Sequence, residues 1–189
     1  DVCSSDLSAV FDRLLPMQRA DFQALFEIMA GKTVCVRLFD PPLHEFLPSD
    51  KAGMRDLAEQ VALPLPDVIE RVDALAEYNP MLGMRGVRLG IAIPEIYDMQ
   101  ARAIFEAMGA VGHKGISINV EIMNPLVSAM REVELLKARI DGVANAVLAK
   151  SKTDFDYHLG VMVETPRAAL RAQDIAEHAQ FLSFGTNDL

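Results

Sequence analysis

The chain has 189 residues, of which 51% are hydrophobic, 6% aromatic and 24% charged, and its formal net charge is -9. That length and apolar content suit one domain, or a large part of one, with a buried core. The acidic balance argues against a nucleic-acid partner or an anionic membrane surface, and no apolar run approaches the roughly 20 residues that cross a bilayer.

No basic segment leads into an apolar stretch, so no secretory signal is read at the start. The two cysteines, Cys3 and Cys35, have no metal-ligand spacing, and a reduced, cytoplasmic setting is expected. Cys35 is expected to be buried on its strand.

Apolar periodicity predicts an alternation of strands and helices. Phe22, Leu25, Phe26 and Met29 recur at helical spacing over 21–30, and Gly31 provides the stop. The β-branched run 33–39 reads as a buried strand that ends at Asp40-Pro41-Pro42. Helices are predicted over 49–62 and 66–78, and Asn79-Pro80 breaks the pattern. A loop or short strand through 81–88 carries Arg85 and Arg88. Pro94-Glu95 opens a strong helix over 94–108. A strand over 117–123 ends at Asn124-Pro125, and helices over 128–140 and 143–149 follow. A strand over 158–163 ends at Glu164-Thr165-Pro166, a helix covers 167–178, and a short strand over 181–184 precedes Gly185-Thr186-Asn187-Asp188.

Strands that alternate with helices imply parallel pairing and right-handed crossovers. An open doubly wound sheet and a (β/α)8 barrel both fit. The barrel is favoured, because polar residues stand at the carboxyl end of nearly every strand, the catalytic face of that fold. The barrel is expected to be incomplete, with about strands 2–6 present and the last strands missing. Because the chain stops at Leu189, just after an acidic turn, a fragment is expected, inactive and unstable on its own.

Arg37, Arg85, Asn124, Glu164, Asn187 and Asp188 all fall at or near strand ends. Two carboxylates from neighbouring strands suit a hard divalent cation such as Mg2+. Two arginines suit a phosphate, which their planar forks hold in a bidentate way. Gly185-Thr186-Asn187 offers backbone N–H groups to a carboxylate. A magnesium-chelated ligand with one phosphate and one carboxylate satisfies the set. Each residue also has a plainer reading: a strand arginine as a structural ion pair, Glu164 or Asp188 as a helix cap. The ten methionines read as core filler.

Val36-Arg-Leu-Phe-Asp-Pro-Pro-Leu-His-Glu-Phe-Leu-Pro48 closely resembles the signature of pyruvate, phosphate dikinases. So does Asn79-Pro-Met-Leu-Gly-Met-Arg-Gly-Val-Arg-Leu-Gly90. Val163-Glu-Thr-Pro-Arg-Ala-Ala-Leu170 and Ser183-Phe-Gly-Thr-Asn-Asp-Leu189 resemble the wider family of phosphoenolpyruvate-utilising enzymes, which includes phosphoenolpyruvate synthase and Enzyme I of the sugar phosphotransferase system.

The resemblance implies a TIM barrel over 8–189, with 1–7 unmatched, that binds phosphoenolpyruvate or pyruvate with Mg2+. It implies that Arg37 and Arg85 hold the transferring phosphoryl group, and that Glu164 and Asp188 hold the metal. Gly185, Thr186 and Asn187 would hold the carboxylate and enolate side of the substrate. A phosphohistidine on a separate domain would exchange the phosphoryl group. In the whole enzyme, ATP, phosphate and pyruvate become AMP, pyrophosphate and phosphoenolpyruvate. A homodimer is implied, and so is a catalytic cysteine beyond residue 189. Asn124 stands where an aliphatic residue is commoner in the family. A more distant alternative is a magnesium-dependent enolate lyase on a similar barrel.

Overall fold

The computed structural model describes residues 4–76, 79, 82–151 and 154–186. Four strands, β1 (Thr33–Arg37), β2 (Asn119–Asn124), β3 (Tyr157–Val163) and β4 (Phe181–Phe184), form one sheet in the order β1-β2-β3-β4. Every pairing is parallel. The fold is therefore mixed α/β with a four-stranded parallel sheet, and all four predicted strands are present within two residues of their expected ends.

Eight helices occur among the described residues: α1 (Ser4–Ile28), α2 (Lys51–Gln60), α3 (Leu65–Leu75), α4 (Val87–Ala92), α5 (Pro94–His113), α6 (Met130–Ser151), α7 (Pro166–Leu170) and α8 (Ala172–Ala176). Several differ from the sequence reading: α4 was not expected, and α5 runs five residues past its expected end. Helix α1 begins at Ser4 rather than Asp21, because Phe11 and Leu15 continue the apolar stripe of Phe22 through Pro16 and join Met99, Ala103 and Phe39 in one cluster. Helix α6 is continuous where two pieces are expected, since Gly142 is carried through by the buried face of Val133, Leu136, Ile140, Ala144 and Val147. The helix expected over 167–178 is two short ones, broken at Arg171. Residues 82–86 form turns, the loop alternative of the sequence reading, and no strand.

The chain divides into two compact units, 1–39 with 86–189, and 40–85. The first holds the sheet and α1, α4, α5, α6, α7 and α8. Its core lies on one face of the sheet, where Val34, Val36, Val120, Ile122, Leu159, Val161 and Val163 alternate with outward residues along their strands. Helix α5 covers that core with one buried face of small and large apolar residues, Ala101, Ala103, Ile104, Phe105, Ala107 and Met108, all at most 2% exposed. It packs against α1 and α6.

The second unit contains α2, α3 and a 3-10 turn (Leu43–Phe46). Asp50 caps α2 by accepting from the Gly53 N–H at 2.7 Å, a local stop-start signal of the usual kind. Among the described residues, no helix is long and apolar enough to cross a membrane.

Candidate functional site

Register decides which side chains share a face. In a parallel sheet, residues paired across strands point the same way. Arg37 pairs with Met123, and Met123 pairs with Gly160. Counting on by twos along β3 and past its end, Met162 and Glu164 lie on the same face. Arg37 bridges this face. Its Nη1 donates to Met162 Sδ at 2.9 Å, and its Nη2 lies 3.2 and 3.3 Å from the two oxygens of Glu164. The reach crosses β2, two strand spacings or about 10 Å, so it requires one of the longest side chains.

Glu164 is only 3% exposed. Its position follows from local sequence logic. Val163 ends β3, Thr165 is the N-cap of α7, with its hydroxyl accepting from the Ala168 N–H at 3.2 Å, and Pro166 occupies the first helical turn. Glu164 is therefore stranded between strand and cap, with its carboxylate on the face of the sheet that carries Arg37. A buried carboxylate needs partners. Besides Arg37, its Oε1 accepts from the Leu126 N–H at 2.7 Å.

That donor is unusual. Leu126 has φ 57°, the left-handed region that a branched side chain avoids. The strain turns its N–H back toward the sheet. Gly86 makes room for it, because a Cβ there would meet the Leu126 Cβ at 2.9 Å. Gly185 makes room for Glu164 in the same sense: a Cβ at 185 would lie 2.6 Å from the Glu164 Cβ.

The other expected arginine, Arg85, belongs to the second unit. Its Nε and Nη2 bind the two oxygens of Asp40 at 2.7 and 2.8 Å, with a further bond from Nη2 to the Asp40 carbonyl at 3.3 Å. This is a fork-to-carboxylate pair with Asp40 only 7% exposed. Asp40 was legible in the sequence only as a strand terminator.

The structure thus brings Arg37, Glu164 and Gly185 together in one unit and ties Arg85 to Asp40 in the other. Thr186 is an exposed turn residue next to Gly185. Asn187 and Asp188 lie outside the described residues, so the expected carboxylate pair 164/188 is described at one member.

Two expectations are corrected. Asn124 does not support the site: it pairs with Val161 on the core face, is fully buried, and neither polar atom of its amide has a hydrogen-bond partner among the described residues. Strand alternation puts it on the opposite face from Arg37 and Glu164. Cys35 is exposed rather than buried, because it shares the Arg37 face. The residues that sequence reasoning missed are Leu126 and Asp40, along with Tyr97 and Gln100, which hold the chain just past Arg37. None carries a local signal, since each acts through a contact distant in sequence.

A groove of about 980 Å3 runs between α1, α5 and α6, and none of the site residues lines it. Arg37 and Glu164 lie instead at the carboxyl ends of the strands, where parallel α/β sheets generally bind ligands.

A parallel α/β sheet that gathers a guanidinium and a buried carboxylate at its strand ends has the layout of a domain for anionic ligands. The chain belongs to the family described as PEP-utilising enzyme, PEP-binding domain, which it matches over residues 5–189. It is 53% identical over 178 residues to the pyruvate, phosphate dikinase of Rhizobium meliloti (strain 1021), covering 94% of this chain and 20% of that protein. It is 49% identical over 180 residues to pyruvate, phosphate dikinase 2 of Zea mays, covering 94% and 20%. The Giardia intestinalis pyruvate, phosphate dikinase is 48% identical over 178 residues, with the same coverage. The chain spans about a fifth of the length of these relatives.

Proposed function

We propose that this chain is part of the substrate-binding (β/α)8 barrel of a pyruvate, phosphate dikinase. In that role it binds phosphoenolpyruvate or pyruvate while a phosphohistidine on another domain of the full protein gives or takes the phosphoryl group. The observation that carries the reading is the Arg37–Glu164 pair, pinned by the Leu126 N–H at the strand ends. Strand order adds support. A doubly wound sheet reverses its order at a switch point, whereas this sheet runs β1 to β4 without reversal, as a barrel does. The relatives compared above are all named dikinases, which favours that enzyme over phosphoenolpyruvate synthase, Enzyme I or an enolate lyase.

The donor set fits magnesium. Glu164 offers hard carboxylate oxygens at a strand end. Magnesium takes one or two carboxylates and completes its shell with substrate oxygens and water. Glu164 would hold it together with Asp188. Bound there, magnesium supplies Lewis-acid stabilisation of negative charge on the enolate oxygen.

The remaining work falls to the chain's own groups. Arg37 and Arg85 bind the phosphoryl oxygens and neutralise the charge that spreads over them during transfer. Until a phosphorylated ligand arrives, Glu164 keeps the Arg37 fork compensated and aimed. The Asp40 carboxylate restricts the rotamers of Arg85, so less freedom is lost on binding. Gly185, Thr186 and Asn187 receive the substrate carboxylate on backbone and side-chain donors.

The test is Glu164→Gln in the full-length protein, which keeps size and one acceptor oxygen but removes the charge and the second acceptor. Magnesium-dependent phosphorylation of pyruvate is expected to fall at least ~100-fold. Wild-type rates would remove the assignment.

A further inference from the structure

Phe39 is the last residue of the first unit before the chain enters 40–85, and it stands two residues past Arg37. Three neighbouring main-chain groups are held at this point. The Leu38 N–H donates to the Met123 carbonyl at 3.0 Å, which extends the β1–β2 ladder by one residue. The Phe39 N–H donates to Gln100 Oε1 at 2.8 Å, and the Phe39 carbonyl accepts from the Tyr97 hydroxyl at 2.8 Å. Both side chains come from α5, three residues apart and therefore on one helix face. Both are buried, Tyr97 at 1% and Gln100 at 4% exposure.

The arrangement is built in rather than incidental. A Cβ at position 90 would lie 2.5 Å from the Tyr97 ring, so Gly90 of α4 is what lets the ring lie there. The Phe39 side chain packs against the cluster of Leu15, Met99 and Ala103, which already fastens the residue to α1 and α5. Two buried polar side chains spent on a single residue's peptide groups exceed what that anchoring needs. They define the path of the main chain rather than its mere attachment. The guanidinium of Arg37 hangs from that path and must reach across β2 to its partner.

We infer that Tyr97 and Gln100 form a clamp on the β1 exit whose role is to position Arg37 for phosphoryl binding. The inference rests on the function proposed above. Tyr97 and Gln100 are positioning residues: they touch the main chain, and they act on the ligand through Arg37. A long arginine magnifies small shifts at its Cα, and misplacement by about 1 Å can cost on the order of 100-fold in rate.

The experiment uses the full-length protein and measures kcat, KM for pyruvate and melting temperature. Gln100→Met keeps the volume and removes the acceptor. It is expected to lower kcat about tenfold while the melting temperature moves by only a few degrees. Gln100→Glu retains an acceptor oxygen in either protonation state and is expected to restore kcat to within about twofold of wild type. Tyr97→Phe, which removes only a hydroxyl, should show the same pattern at about threefold and serves if Gln100→Met does not fold.

The decisive comparison repeats Gln100→Met in an Arg37→Lys background. Groups that act through one residue are not additive, so the clamp variant should then cost less than about twofold. A full tenfold loss in both backgrounds, or no rescue by Gln100→Glu, overturns the clamp and leaves the role of Arg37 standing. An Arg37→Lys variant with wild-type kcat removes the phosphoryl-binding role itself, and the clamp falls with it.

Discussion

On the covered face of the sheet, Val34, Val36, Ile122, Leu159 and Val161 meet the helices and are almost without solvent exposure. On the other face, the same strands present Thr33, Cys35, Arg37, Asn119, Glu121, His158 and, just past β3, Glu164. Most of these are exposed or half-buried, and Asn119 donates to the Thr33 hydroxyl at 3.1 Å. The two faces differ by a one-residue phase along each strand. The first is apolar until it reaches Asn124 at the end of β2 and serves cohesion. The second is mostly polar, and Arg37, Glu164 and Gly185 converge at its carboxyl end, where the proposed ligand site lies. A residue's contribution is therefore set by its parity on the strand and its distance from the carboxyl end, more than by its type.

That contrast can be broken most severely at the polar end. Loss of charge in Glu164→Gln is expected to cost at least ~100-fold in pyruvate phosphorylation with little change in melting temperature. A large fall in melting temperature instead would place Glu164 among the cohesive residues.

The converse holds on the covered face. Ile122→Ala, at a fully buried position, should destabilise the full-length protein by about 2–4 kcal/mol in denaturant unfolding, with kcat of the surviving folded fraction unchanged. Gly185→Ala lies at the boundary. The added methyl must displace the Glu164 side chain, so a stability loss of about 1–3 kcal/mol should come with a raised magnesium requirement.

Asn124 sharpens the comparison in the opposite direction, because it is a polar residue on the wrong face. Replacing its buried amide, which has no partner among the described residues, with an apolar side chain of similar size, Asn124→Leu, should stabilise by about 1 kcal/mol without touching activity. A destabilisation of that size would mean the amide has a partner after all.

The smallest effect is expected at Cys35. Its thiol is pushed above the usual range by partial burial first and by the Glu121 carboxylate second. Iodoacetamide labelling of this chain at neutral pH should therefore be slower than for a free cysteine. Glu121→Gln removes the second cause and should speed labelling by about twofold, with the labelling midpoint moving to lower pH.

Much of this was legible in the residues themselves. The β-branched runs, the Pro94-Glu95 helix start and the placing of Arg37 and Glu164 at strand ends all follow from short-range preferences, and they survive in the fold; the cap read at Glu164 belongs to Thr165 instead. The motif runs pointed to the family before any contact was known. Where reading by pattern failed, it did so at Asn124 and Cys35. Both strands alternate, Thr33-Val-Cys-Val-Arg37 and Asn119-Val-Glu-Ile-Met-Asn124, so Cys35 falls on the Arg37 face and Asn124 on the Val120 face; residue type alone pointed the other way. It failed again at Pro16 and Gly142, where tertiary packing carried helices through residues that favour a break.

What the sequence by itself determined was the alternation of strand and helix, the chemical inventory at the strand ends and the family. Local backbone preference and hydrophobic period are encoded within a few residues, and motifs are contiguous. Tertiary structure alone decided that Arg37 reaches Glu164 across β2, that a strained Leu126 donates the third bond, and that α5 grips the chain at Phe39. Those contacts depend on strand register and on helix placement against the sheet. Both are set by the packing of segments distant in the chain, which no local pattern records.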